Sequence, residues 1–117
     1  MNTFIQDTQV VGETTATLFE MLQSGPTNAL VTIKNTGVNT LNYVFQEFNG
    51  TAWVDLDDPG TDLNNTLTAA QMRAVQVQSS YPQVRLRGDA SGGASLDFAI
   101  QRYFNRASGG SVPLLNL

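Results

Sequence analysis

Short runs in which apolar and polar residues alternate, each broken by turn-forming residues, constrain this chain more than any other feature. In Ala29-Leu30-Val31-Thr32-Ile33-Lys34, Val31 and Ile33 fall on one face and Thr32 and Lys34 on the other. Successive side chains of a strand point to opposite faces, whereas a helix repeats every 3.6 residues, so such runs predict half-buried strands. The segments Arg73 to Gln78 and Val84 to Arg87 alternate in the same way, and Ser95 to Phe104 puts Leu96, Phe98 and Ile100 on one face. Asn42 to Phe48 is rich in aromatic and β-branched residues and runs into Asn49-Gly50, the signature of a two-residue type I′ turn, with a return strand over Ala52 to Leu56. Phe4 to Val11 and Thr15 to Leu22 complete the set. The second of these carries apolar residues on both faces, with Phe19 and Met21 on one and Ala16 and Leu18 on the other. Thr68 to Met72 is expected to form one helical turn, with Thr68 as its N-cap.

Seven or eight short strands with turn signals at roughly 8–12-residue intervals predict an all-β fold: a single-domain antiparallel β-sandwich, jelly-roll-like rather than immunoglobulin-like. Ser79-Ser80-Tyr81-Pro82 and Gly88 to Gly93 supply two of the turns. The domain is expected to span residues 1–106. Beyond it, Ala107-Ser108-Gly109-Gly110-Ser111 has the composition of a flexible linker and leads into Val112-Pro113-Leu114-Leu115-Asn116-Leu117. This apolar tail (107–117) has three readings: a last edge strand on its own sandwich, an arm laid on a neighbouring subunit, or a disordered end. The second makes Val112, Pro113, Leu114, Leu115 and Leu117 the candidate assembly contacts.

The chemistry the chain can support is narrow. It has no cysteine and no histidine. Those absences remove thiolate nucleophiles, disulfides, the commonest general base and the commonest transition-metal ligands, and they leave a Ser-His-Asp triad without its base. Glu13, Glu20 and Glu47 are far apart in sequence and sit in no motif, and Gly92-Gly93 precedes a strand rather than a phosphate-binding helix. An enzyme is therefore not expected, nor a cofactor. The net charge of −4 and pI near 4.4, with Lys34 and arginines scattered from Arg73 to Arg106, argue against nucleic acid or an anionic membrane as partner. No apolar run approaches the ~18 residues of a bilayer span. The start, Met1-Asn2-Thr3-Phe4, lacks the basic and apolar regions of a signal peptide, so the chain is expected to be made in the cytoplasm and to stay soluble.

Three constellations invite sharper readings. The acidic segment Asp55 to Asn65 has oxygen ligands for calcium, but Pro59 and Thr66 break the EF-hand pattern, so a solvated turn is expected and no metal site. Arg87-Gly88-Asp89 spells an integrin-recognised tripeptide at the point where a strand meets a glycine-rich turn, and turn geometry accounts for its glycine. Tyr43, Phe45, Phe48 and Trp53 lie in one hairpin, where aromatics more often form core and cross-strand pairs than a sugar-binding platform. What remains is the surface. Charged residues make up 14% of the chain, well below the roughly 25% of an average domain, so this surface can be covered by a neighbour without stripping water from many ions.

The run Val31-Thr32-Ile33-Lys34-Asn35-Thr36-Gly37, then Leu41 to Trp53 with its Asn49-Gly50-Thr51-Ala52-Trp53, then Val84-Arg85-Leu86-Arg87-Gly88, resembles small β-sandwich structural proteins of tailed-bacteriophage virions, nearest to capsid decoration (cement) proteins. The likeness spans residues 29–104 and is one of style, without a diagnostic motif, so it assigns no residue a role. It implies a virion protein that forms homo-oligomers, often trimers, and binds and stabilises a phage capsid. A neck, tail or fibre-associated component and a carbohydrate-binding module are the alternatives.

Overall fold

The computed structural model describes residues 2–103, with side chains from Ile5 to Arg102. Nine strands are present: β1 (Asn2–Val11), β2 (Ala16–Leu22), β3 (Thr27–Asn35), β4 (Leu41–Phe48), β5 (Trp53–Asp55), β6 (Asn64–Leu67), β7 (Met72–Ser79), β8 (Gln83–Asp89) and β9 (Ala94–Tyr103). They form two antiparallel sheets, ordered β1-β9-β3-β7 and β2-β8-β4-β5, with β6 also on β4. The pairing is nested. The first strand joins the last, β2 joins β8, β3 joins β7, and β4 joins β5 and β6. The chain is thus one long antiparallel ribbon, and the β3–β9 and β4–β8 pairs record how that ribbon rolls up. A ribbon rolled in this way is a jelly roll, as the alternation predicted.

The strand beyond the expected seven or eight is β6. It continues the edge position that β5 begins, pairing Leu41–Val44 of β4 while β5 pairs Gln46–Phe48. Only Leu67 of β6 is buried, and Asn64, Asn65 and Thr66 are held through backbone contact with β4. Where a solvated acidic turn was expected, the segment 55–65 therefore ends in the start of a strand.

The core is the set of inward residues that alternation selects: Val31 and Ile33 of β3, Tyr43 and Phe45 of β4, Val75 and Val77 of β7, Val84 and Leu86 of β8, and Leu96, Phe98 and Ile100 of β9. β2 owes its two-faced pattern to a bulge between Thr17 and Phe19 that shifts the register against β8. A bulge adds one residue to one strand and reorients its neighbours. Leu18 is accordingly buried while Phe19 packs on the core and stacks on Phe98 of the facing sheet, ring centroids 4.5 Å apart.

Two turns differ from expectation. The β4–β5 loop runs over four residues, 49–52, instead of a two-residue type I′ turn. Asn49 Oδ1 accepts from the amides of Thr51 and Ala52, so the asparagine side chain closes the loop itself and only Gly50 takes a positive φ. Thr68 to Gln71 forms a tight turn, not a helical one, with Gln71 N donating to Thr68 O at 3.0 Å and Ala70 at φ 65°. The amide of Ala70 donates to Asn35 O, which explains why the backbone is held there.

Asn35 itself is fully buried. Its Nδ2 donates to Asn39 O at 2.7 Å and Leu67 O at 3.0 Å, its Oδ1 accepts from Gly37 N at 2.9 Å, and its backbone N–H donates to Gln71 O. Losing a buried partner costs about 1–3 kcal/mol per orphaned group. Asn35→Ala orphans three groups, and an urea titration is expected to show a loss of about 3 kcal/mol or more. Ala70→Gly should act oppositely. The left-handed conformation costs a residue with Cβ roughly 1–2 kcal/mol, more than the chain entropy glycine adds. Thermal unfolding of that variant is expected to shift upward by a few degrees.

Candidate protein-binding surfaces

Four strand edges are open to a partner, two on each sheet, and an unpaired edge is a template for another strand. Three are obstructed. β2 carries the bulge at Thr17/Phe19, and its last carbonyl, Leu22 O, accepts from Arg102 Nη1. The β5/β6 edge is cut in two by residues 56–63. β7 is clamped to the facing sheet: Arg73 Nη1 donates to Tyr43 Oη and Thr66 O, and Ser79 Oγ donates to Glu47 Oε1 at 2.6 Å.

β1 has no such protection. It pairs with β9 along its whole length, so Ile5, Asp7 and Gln9 share the core-side face with Ile100, Phe98 and Leu96. All three are nevertheless exposed, as are Gln6, Thr8 and Val10 on the other face, and only Val11 is buried. From Ile5 to Val10 the strand overhangs the second sheet and is uncovered on both faces, and no other strand among the described residues pairs with its outer edge. Ile5 and Val10 are 38% and 81% exposed. The signal was in the sequence: Gln6-Asp7-Thr8-Gln9 is polar at both parities, which is how a strand reads when neither face is covered.

A second surface is the outer face of the five-stranded sheet. Two of the hairpin aromatics, Tyr43 and Phe45, enter the core, whereas Trp53 and Phe48 stay half-buried, their ring centroids 5.3 Å apart. The Arg85 guanidinium lies over the Trp53 ring at 4.0 Å. Its Nε donates to Gln46 Oε1, and Gln46 Nε2 donates to Asp55 Oδ1. Burial, and after it the positive charge of Arg87, draws Arg85 below the usual arginine value, with Glu20 opposing. Arg87 Nη2 donates to Thr15 O, and its Nε is buried without a partner. The single ion pair among the described residues is Arg73–Asp62 at 3.9 Å, so both outer-face arginines lack a carboxylate in direct contact. The arginine already stacked on Trp53 occupies the ring face that a sugar would need.

The Arg87-Gly88-Asp89 tripeptide lies within β8, not in a turn. A Cβ on Gly88 would meet Asn42 O at 2.7 Å and Leu18 Cδ1 at 3.0 Å, so close strand packing requires this glycine. In the acidic segment, Asp62 O accepts from Tyr43 Oη and Asp58 O from Thr61; no three acidic groups converge to hold a metal ion among the described residues. The tail contacts Val112, Pro113, Leu114, Leu115 and Leu117 lie outside the described residues.

No protein-family model matches the sequence, and no curated protein matches it. Among solved structures, a crystal structure of PirA is similar with a TM-score of 0.54 at 16% identity, covering 85% of this chain and 93% of that one. A structure from work describing Bacillus endospore appendages as a novel family of disulfide-linked pili gives a TM-score of 0.51 at 16% identity, over 90% and 92% of the two chains. The tobacco streak virus coat protein overlays more loosely, with a TM-score of 0.46 and 9% identity over 99% and 91%. At such identities the likeness to PirA and to the appendage chain is one of fold and of nothing finer.

Asp89, the last residue of β8, gives the surface a pH-dependent element. Hydrogen bonds from the Thr15 hydroxyl at 2.6 Å and from the Asn42 amide favour its charged form and hold its carboxyl below the usual aspartate value. A carboxyl depressed by folding adds stability above its unfolded value and loses it as pH falls through the folded one. As pH falls below about 4, stability should therefore fall less steeply in Asp89→Asn than in the parent chain, as measured by urea unfolding at stepped pH.

Proposed function

We propose that this chain is a non-enzymatic structural subunit that binds other protein surfaces, and that it serves as a decoration protein on the capsid of a tailed bacteriophage. The observation that carries the general reading is β1, an edge strand whose residues from Ile5 to Val10 are exposed on both faces. A solitary protein gains nothing from such a strand and risks aggregation through it, whereas an assembling one uses it. The charge-poor surface fits the same reading, because few ions must be desolvated at a contact. The appendage chain that shares the fold is described as part of disulfide-linked pili. A chain without cysteine must assemble by non-covalent contacts instead.

The finer assignment rests on the resemblance of residues 29–104 to decoration proteins. It makes the chain a virion component, produced in the host cytoplasm and oligomeric, with a trimer as the expected form. Its action would be thermodynamic: a subunit that binds only the assembled shell stabilises that state by mass action. In this reading Val112, Pro113, Leu114, Leu115 and Leu117 form an arm that reaches a neighbouring subunit. A neck, tail or fibre position would use the same contacts on a different partner.

Light scattering on the full chain and on a chain ending at Arg106 tests both levels. The full chain is expected to form oligomers and to sediment with capsids, and the shortened chain to lose much of that association. A full-length chain that stays monomeric and leaves capsids bare would overturn the reading.

A further inference from the structure

The direction of the β1 backbone groups can be followed across the four-stranded sheet. Asn35 N–H donates to Gln71 O on the β7 side, and Thr36 N–H donates to Ser95 O on the β9 side. Along an antiparallel strand these directions alternate. Lys34 therefore faces β9 and exchanges its bonds with its register partner Asp97. Asp97 is thereby engaged with β3, and its other register partner, Thr8 of β1, turns its N–H and C=O outward. A separate observation agrees: Thr8 N–H is capped at 2.8 Å by the carboxylate of its own neighbour, Asp7. Gln6, Thr8 and Val10 are thus the residues that present main-chain bonds at the free edge.

From this geometry we infer that the β1 edge is a self-pairing surface, and that its partner is the β1 of a second copy, antiparallel, with the twofold axis at Thr8. The inference deepens the structural-subunit reading and rests on it, not on the trimer, whose contacts would be separate from this one. An isologous contact requires a strand complementary to itself, and the side chains choose the register. With the axis at Thr8, each Thr8 exchanges both main-chain bonds with the partner's Thr8, Gln6 does so with the partner's Val10, and Asp7 lies opposite the partner's Gln9. The Thr8 amide passes from its Asp7 cap to the partner's carbonyl, and the freed carboxylate accepts from the Gln9 amide. Moving the axis to Asp7 would set two carboxylates face to face, which is destabilising. Moving it to Gln6 would oppose Asp7 with Ile5, and moving it to Gln9 would leave only the last few residues of the strand paired. The overhang of β1 beyond the second sheet gives the incoming sheet room, whereas the clamped β7 edge offers none.

An edge contact alone buries less than the roughly 1,000 Å² of a stable interface, so covalent capture is the suitable readout. The chain has no cysteine of its own, which makes single-cysteine variants clean probes. Across a hydrogen-bonded antiparallel pair the Cα atoms are about 5.5 Å apart, within disulfide reach. In the proposed register residue 6 or 10 of one copy lies about 15 Å from its counterpart, out of reach. In the full chain under mild oxidation, Thr8→Cys is expected to form disulfide dimers at least about tenfold faster than Gln6→Cys or Val10→Cys. Adding Gln6→Pro, which removes an edge amide without touching the β9 pairing, should slow the Thr8→Cys reaction. Equal rates at the three positions, a faster rate at 6 or 10, or no effect of the added proline would overturn the inference. If the unmodified chain still forms oligomers in that event, the structural-subunit reading survives through another surface; if it does not, both fall.

Discussion

The buried side-chain amide of Asn35 bonds at once to the 36–40 loop, through Asn39 O and Gly37 N, and to β6, through Leu67 O, while its backbone receives and gives bonds at the 68–71 turn. β3 belongs to one sheet and β6 to the other, so a single polar group spans the sandwich at this end. In a low-dielectric interior such bonds are strong when complete and costly when broken. Apolar packing sets how close the two sheets come, but it is non-directional. The amide adds direction, and it explains why β6, with one buried side chain, holds its place.

Alternation carried most of the fold. The eight segments expected as strands became strands, and their number and spacing pointed to a sandwich, whereas the rolled order of its two sheets is seen only in the structure. What escaped were features whose cause is not a side-chain pattern. β6 is a strand because β4 offers it a backbone ladder, although Asn64-Asn65-Thr66 looks like loop. The bulge in β2 rotates Leu18 and Phe19 inward together, which no strict period can encode. Asn35 reads as a turn residue beside Gly37, and its burial depends on carbonyls brought from distant segments. Ala70 takes a left-handed conformation that its residue type disfavours, because Asn35 O holds its amide.

The surfaces were partly readable. Low charge and the absence of His and Cys point toward contact rather than reaction. The aromatic hairpin divided between core and surface, since Tyr43 and Phe45 share one parity and Phe48 the other. The bareness of β1 was present in four consecutive polar residues but becomes meaningful only once the second sheet is seen to stop short of it. The sequence alone singles out the apolar C-terminus, whereas the described residues place an open edge at the opposite end of the chain.

The stacking of Arg85 on Trp53 has a practical corollary. The chain has one tryptophan, and it sits on the outer face of a three-residue strand, away from the two sheets' shared interior. Its fluorescence therefore reports the environment of that cation and of the β4–β5 hairpin, not the integrity of the core. An early change in emission would mark peeling of one hairpin, and whole-molecule unfolding is better followed by a signal that averages over the backbone, such as far-ultraviolet circular dichroism.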